Sequence, residues 1–147
     1  MQPFRLVSPR ADHAGRAVVV ACFGKDFEAP PGDLVYGISL DGAVVSHLDL
    51  YWKTIRVGEQ PVGVAAIGQV GTLPDHRGRG FASTLLEAAH EDARRRVPYA
   101  GLFGSLAFYG RFGYCETNLT SELGFLLCPL SGEHRAIGEV DLEGQRW

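Results

Sequence analysis

Residues 70–82 read Val-Gly-Thr-Leu-Pro-Asp-His-Arg-Gly-Arg-Gly-Phe-Ala, and a change of pattern inside this stretch decides the fold. Upstream, residues 62–73 read as a β-strand carrying Gly63, Gly68 and Gly71. Glycines inside a strand weaken it and mark a bulge or a close approach of another backbone or a ligand. Downstream, Phe81, Ala82, Leu85, Leu86, Ala89 and Ala93 form an apolar stripe at helical spacing, opposite Glu87, His90, Glu91 and Arg94. Between strand and helix, successive backbone N–H groups at a helix N-terminus make an anion-binding nest, reinforced by the positive end of the helix dipole. Gly78 and Gly80 let that backbone wrap closely around a phosphate, and Arg77 and Arg79 add cationic donors beside it. The turn is neither a Walker P-loop, which needs Gly-Lys-Ser/Thr, nor a dinucleotide fingerprint, which needs GxGxxG.

Working outward, Arg94, Arg95 and Arg96 fall in the last turn of the helix, where cations offset the dipole without a ligand, and Val97-Pro98 ends it. Residues 99–105 predict a strand, 106–112 a short helix closed by Gly113, 122–129 a strand, and 136–142 one more. Toward the N-terminus, residues 43–57 form a long strand joined to strand 34–40 by Asp41-Gly42, a type I′ hairpin signal. A second turn follows at 58–60. In the long strand His47, Asp49, Tyr51 and Lys53 share one face, because strand side chains alternate, and that face is polar enough to line a cleft. Residues 26–33 hold two prolines, a glycine and three carboxylates and predict a loop. Before it, residues 4–7 predict a strand and Ser8-Pro9 the start of a helix running to Gly24.

A chain of 147 residues that is 46% hydrophobic can bury one compact core. The alternation of strands and helices over 1–147 therefore predicts a single mixed α/β domain. A net charge of −3 provides no basic excess to neutralise a nucleic-acid backbone. Cys22, Cys115 and Cys128 are an odd count with no CxxC pair and read as reduced thiols. No apolar run approaches the roughly 20 residues that span a bilayer, and the start of the chain lacks a signal-peptide h-region, so a cytoplasmic location without a membrane partner is expected.

Two segments carry a family resemblance. Arg77-Gly78-Arg79-Gly80-Phe81-Ala82, with the preceding Val-x-Thr-Leu-Pro-Asp, resembles the acetyl-CoA motif of the GCN5-related N-acetyltransferase (GNAT) superfamily. Ala107-Phe108-Tyr109-Gly110-Arg111-Phe112-Gly113-Tyr114 is similar to its Phe-Tyr-x-Arg-x-Gly-Phe/Tyr segment. The resemblance implies a mixed, mostly antiparallel central sheet of six to seven strands, flanked by helices and splayed at the cofactor site. It implies acetyl-CoA as acyl donor and no metal.

Residue by residue, the resemblance puts Val70, Gly71 and Thr72 beside pantetheine and the thioester, and the pyrophosphate on Arg77, Gly78, Arg79, Gly80, Phe81 and Ala82. Tyr109 matches the general acid for the CoA thiolate. Many relatives carry a glutamate where Gly68 stands, which leaves two routes for the amine proton: a water relay to Asp49, His47 or Glu59, or an amine that arrives already neutral. Gly124-Phe125-Leu126-Leu127-Cys128-Pro129-Leu130, Asp141 and Trp147 resemble the close of the aminoglycoside 2′-N-acetyltransferase branch, in which an aspartate and the terminal tryptophan carboxylate face the amino sugar. The implied acceptor is a small-molecule amine, an aminoglycoside or a polyamine-like compound, attacking directly in a ternary complex. Three other readings stand beside it: transfer of an acyl group other than acetyl, a non-catalytic acyl-CoA sensor, and a nucleotide site at the same nest. Exposed strand edges offer a route to a homodimer.

Overall fold

The computed structural model describes residues 1–117 and 125–130. Seven strands lie in one sheet in the order β1-β2-β3-β4-β5-β7-β6. They are β1 (Gln2–Val7), β2 (Leu34–Leu40), β3 (Ala43–Val57), β4 (Gln60–Thr72), β5 (Tyr99–Phe103), β6 (Cys115–Glu116) and β7 (Phe125–Pro129). The helices are α1 (Arg16–Phe23), α2 (Phe81–Ala93) and α3 (Leu106–Tyr109). Close packing divides the chain into two compact units, residues 1–51 with 67–89, and residues 52–66 with the described residues from 90 onward.

In the first unit, the expected hairpin forms with Asp41 at φ 48° and Gly42 at φ 82°, the two left-handed residues that a type I′ turn requires. β2 and β3 pair antiparallel, with Gly37 opposite His47 and Val35 opposite Asp49. Both faces of β3 are buried from Val45 to Leu50, so on the polar face His47 and Asp49 are buried, whereas Tyr51 and Lys53 are half-buried. α1 is shorter than expected. Ser8 does not cap a helix: it sits at φ 46° and its N–H donates to the Asp33 carbonyl at 2.8 Å. Helical hydrogen bonding starts only at Gly15, and eight residues bring Val18 and Val19 into the core. Each such apolar side chain contributes roughly 1.5–3 kcal/mol on burial.

In the second unit, Ile55, Val64, Phe125 and Leu127 form an apolar cluster with Val57, Val62 and Tyr99 against it. β4 pairs parallel with β5 through Val64, Ala65 and Ala66, and β5 pairs antiparallel with β7. β6, two residues long, was not evident from sequence. α3 continues into a 3-10 turn (Gly110–Phe112) and stops at Gly113, whose φ of 95° is the left-handed end the sequence implied.

Two expectations for this unit are corrected. His90, assigned to the solvent face of α2, is 7% exposed and lies 2.6 Å from the Tyr114 hydroxyl through Nε2. It stands four residues after Leu86 and three before Ala93, so it shares their buried stripe. Burial holds it neutral, with its pKa lowered to about 4, so the pair is joined by a hydrogen bond between uncharged groups. The three arginines follow α2 instead of forming its last turn. Arg94 Nε donates to the Leu130 carbonyl at 3.2 Å and Arg96 lies 4.3 Å from the centre of the Trp52 ring, so packing accounts for both. The expected strand at 136–142 and residues 122–124 of the preceding one lie outside the described residues. Among the described residues, no helix is long and apolar enough to cross a membrane.

Gly32 gives a direct check of this packing. A Cβ there would meet the Leu34 and Leu50 carbonyl oxygens at 2.7 Å and the Leu50 nitrogen at 2.8 Å, all backbone atoms that cannot rotate away. Gly32→Ala is expected to lower unfolding free energy by about 1–3 kcal/mol in chemical denaturation.

Candidate active site

β4 stops behaving as a plain strand at its C-terminal end. Its ladder to β5 takes in Val64, Ala65 and Ala66, and Gln69 is left-handed at φ 44°, a conformation rare for a residue with a side chain. The glycines flanking Gln69 allow close neighbours. A Cβ on Gly71 would meet Cys22 Sγ at 3.0 Å, so its absence lets the end of α1 pack on β4. Ser46 fixes the same stretch from β3, lying 2.9 Å from Thr72 Oγ1 and donating to the Gly71 carbonyl at 3.2 Å. Val70, Gly71 and Thr72 thus form a braced, half-buried segment.

From Thr72 the chain turns through a 3-10 segment (Pro74–His76) into α2. Gly78 and Gly80 adopt φ 76° and 79°, and a Cβ at either would meet nothing within 4 Å. Their requirement is therefore conformational: two left-handed residues in the turn, where other side chains would be strained. The first hydrogen bond of the helix runs from the Thr84 N–H to the Gly80 carbonyl at 3.0 Å, so the Phe81 and Ala82 N–H groups precede the helical ladder, where an anion is bound best. Arg77 and Arg79 serve partly as braces. Arg77 Nε donates to the Thr72 carbonyl at 3.0 Å, and Arg79 lies 3.1 Å from His76 Nδ1 with its guanidinium 5.2 Å from the centre of the Phe81 ring. The nine residues expected to hold the cofactor, Val70–Thr72 and Arg77–Ala82, are continuous with one turn.

Beneath the Gln69 break lies a buried titratable cluster. His47, fully buried, is 2.9 Å from the Gln69 carbonyl through Nδ1 and 3.6 Å from Asp49 Oδ2 through Nε2. Asp49 Oδ1 accepts from the Gly32 N–H at 2.8 Å. His13 stacks on His47 with ring centres 5.5 Å apart, and its Nδ1 accepts from the Gly15 N–H at 3.1 Å. Tyr51 donates to the Pro30 carbonyl at 2.5 Å and lies 2.8 Å from the Gln69 side chain. Sequence reasoning singled out His47 and Asp49 but missed His13, whose loop position carries no periodic signal. Glu59, the other carboxylate considered, is exposed in the β3–β4 turn, and Gly68 faces the Tyr51 ring.

Burial raises the Asp49 pKa to about 6, against the Gly32 N–H and the nearby His13 and Arg16. Burial likewise lowers those of His47 and His13. His13, His47 and Asp49 offer ligand atoms within 4.8 Å of one another. A cation fits them poorly, because a metal-bound histidine donates its other ring N–H, whereas His13 accepts at Nδ1.

In the second unit, Tyr109 packs edge-on against Phe108, with centroids 4.8 Å apart, and against Tyr114 at 5.8 Å. A Cβ on Gly104 would stand 2.7 Å from its ring, so that glycine is what leaves room for it. Burial raises the Tyr109 pKa, keeping the phenol protonated at neutral pH. Cys22, Cys115 and Cys128 are free thiols, Cys115 exposed and Cys128 buried. Asp141 and Trp147 lie outside the described residues.

Residues 26–116 match the family model described as an acetyltransferase (GNAT) domain. The chain belongs to the GNAT acetyltransferase family. Among solved structures it is similar to Eis1 from Mycobacterium abscessus, with a TM-score of 0.66 and 25% identity over 78% of this chain and 31% of that one. A GNAT family acetyltransferase from Brucella melitensis in complex with acetyl-CoA has a TM-score of 0.65 and 20% identity over 95% of this chain and 94% of its own. The GNAT family N-acetyltransferase YhbS from Escherichia coli in complex with CoA has a TM-score of 0.73 and 18% identity over 94% and 88%. The chain spans about a third of the length of Eis1. No curated protein matches it in sequence.

Asp49 supplies a stability test. With its pKa raised to about 6, the folded state binds a proton more tightly than the unfolded chain, so the ionised group costs the fold about 3 kcal/mol at pH 8 and the cost vanishes as pH falls below about 4. Asp49→Asn keeps an acceptor for Gly32 and turns an amide donor toward His47 Nε2. It is expected to raise the melting temperature at pH 8 and to change it little at pH 4, read by calorimetry.

Proposed function

We infer that this chain is an N-acetyltransferase that moves the acetyl group of acetyl-CoA to a primary amine by direct attack in a ternary complex. The observation that carries the reading is the left-handed nest at Gly78 and Gly80, opening α2 directly after a braced strand end. Val70, Gly71 and Thr72 take pantetheine and the thioester, and a backbone N–H there stabilises the oxyanion of the tetrahedral intermediate. The pyrophosphate sits on the turn from Arg77 to Ala82. Tyr109 is the general acid for the CoA thiolate, a role that rests on its place in the Phe-Tyr-Gly-Arg-Phe-Gly-Tyr segment and on a phenol protonated at neutral pH. Asp49 is the final acceptor of the amine proton. Residues 1–147 act as one catalytic domain.

The acceptor is a small cationic amine, of aminoglycoside or polyamine type. Support comes from the carboxylates Asp26, Glu28 and Asp33 in and beside the loop before β2 and from the resemblance of the C-terminal sequence, with its Asp141 and Trp147, to the close of the aminoglycoside 2′-N-acetyltransferase branch. We further propose a cytoplasmic enzyme that pairs as a homodimer through exposed strand edges and engages neither nucleic acid nor membrane.

The test is thiol release from acetyl-CoA across a panel of amines. Turnover with cationic amines is expected, while tight CoA binding with no turnover by any amine favours a non-catalytic sensor. In the same assay Tyr109→Phe should lower kcat at least tenfold and leave acetyl-CoA affinity within twofold; unchanged turnover removes Tyr109 from the chemistry.

A further inference from the structure

The buried cluster under Gln69 has a countable set of protons. A carbonyl can only accept, so the 2.9 Å contact to Gln69 requires the proton of His47 to be on Nδ1, leaving a lone pair on Nε2. The Gly15 N–H occupies the lone pair of His13 at Nδ1, which puts that ring's proton on Nε2. The Gly32 N–H is directed at Asp49 Oδ1. What remains is His47 Nε2 facing Asp49 Oδ2 across 3.6 Å, two acceptors with no proton between them. Among the described residues, His47 Nε2 is the one buried side-chain polar atom without a hydrogen-bond partner. Such a vacancy is costly in a buried site and is relieved when one proton enters.

We propose that His47 and Asp49 form a single one-proton acceptor, in which His47 is the positioning residue that holds the proton Asp49 receives from the acceptor amine. This rests on the acetyltransferase reading above. In the step, the amine N–H bond breaks through an intervening solvent water, its electron pair stays on nitrogen and forms the C–N bond at the thioester carbon, an O–H bond forms at Asp49 Oδ2, and the C–S bond then breaks with the CoA thiolate taking the Tyr109 phenol proton. That O–H donates to His47 Nε2, while His47 Nδ1 stays anchored on Gln69. The amine proton thereby leaves the reacting centre without placing a net positive charge in the buried cluster.

The groups facing the pair set its working range. Burial raises Asp49 to about 6, whereas the Gly32 N–H, His13 and Arg16 of α1 favour its ionised form. Arg16 also disfavours a charged His47, and Asp49 and Asp33 both act on the Tyr51 phenol. The competent form is the unprotonated pair, so kcat falls as pH drops through about 6. Because the His47 lone pair stabilises protonated Asp49, removing it moves that acid limb to lower pH.

Two measurements decide the matter. In the free protein, side-chain 15N and 13C spectra should show His47 as the Nδ1–H tautomer, with its Nε2 signal moving at the same midpoint as the Asp49 carboxyl, and no such step in Asp49→Asn. Independent titration of His47 as an ordinary imidazolium overturns the proposal, whatever the enzyme's activity. In turnover, His47→Asn keeps a donor for the Gln69 carbonyl but lacks the Nε2 acceptor. It should lower kcat about tenfold and shift the acid limb down by about one pH unit, with acetyl-CoA affinity within twofold. Wild-type kcat and an unmoved limb in that variant overturn it as well. Failure of the wild type to turn over any amine counts against the acetyltransferase reading, and the free-protein titration still decides the pair.

Discussion

The hydrogen bond from His47 Nδ1 to the Gln69 carbonyl is the contact on which the site depends. β4 must be a strand through Val64, Ala65 and Ala66, where it pairs with β5. It must then present a braced backbone segment at Val70, Gly71 and Thr72. The change occurs at Gln69, whose left-handed backbone costs about 1 kcal/mol or more for a residue with a side chain. A buried imidazole holding its carbonyl, and Tyr51 beside its side chain, offset that cost. The same contact dictates the His47 tautomer, so the backbone feature at the end of β4 and the lone pair on His47 Nε2 facing Asp49 are two consequences of one bond.

Around it the fold uses close backbone approach repeatedly. Gly71 admits α1, Gly32 fits among backbone atoms of β2 and β3 while its N–H reaches Asp49, and Gly15 lies against the His47 ring. The nest glycines differ in kind, since space is open at Gly78 and Gly80 and only their dihedral angles demand glycine. Packing glycines and conformational glycines thus divide the labour. The first group brings α1 and the 30–33 loop onto the strands; the second shapes the turn that opens α2.

Local chemistry made much of this legible from sequence. Asp41-Gly42 specifies its turn through two left-handed residues, the α2 stripe repeats over three turns, and Gly113 ends the short helix that carries Tyr109. Readings that depend on tertiary partners went astray. Ser8-Pro9 has the residues of a helix start, yet the Ser8 N–H bonds to Asp33, twenty-five residues away. On the polar face of β3, alternation reveals which residues belong together but not how deep each lies: His47 and Asp49 are buried, Tyr51 and Lys53 half-buried. His90 was readable from its spacing to Leu86 and Ala93, and its polar character misdirected the assignment. His13 enters the site only because the loop before α1 folds onto β3, which no sequence period records.

The central claim is that the strand end and the nest together form a site for acyl-CoA, with the nest taking the pyrophosphate and the strand taking pantetheine. Calorimetric titration with CoA, ATP and pantetheine separates the two contributions most directly. The account predicts that CoA binds at least tenfold more tightly than either fragment-like ligand, because only CoA engages both parts. ATP binding as tightly as CoA would contradict it, since the turn would then be a general polyphosphate site to which the residues 70–72 contribute nothing.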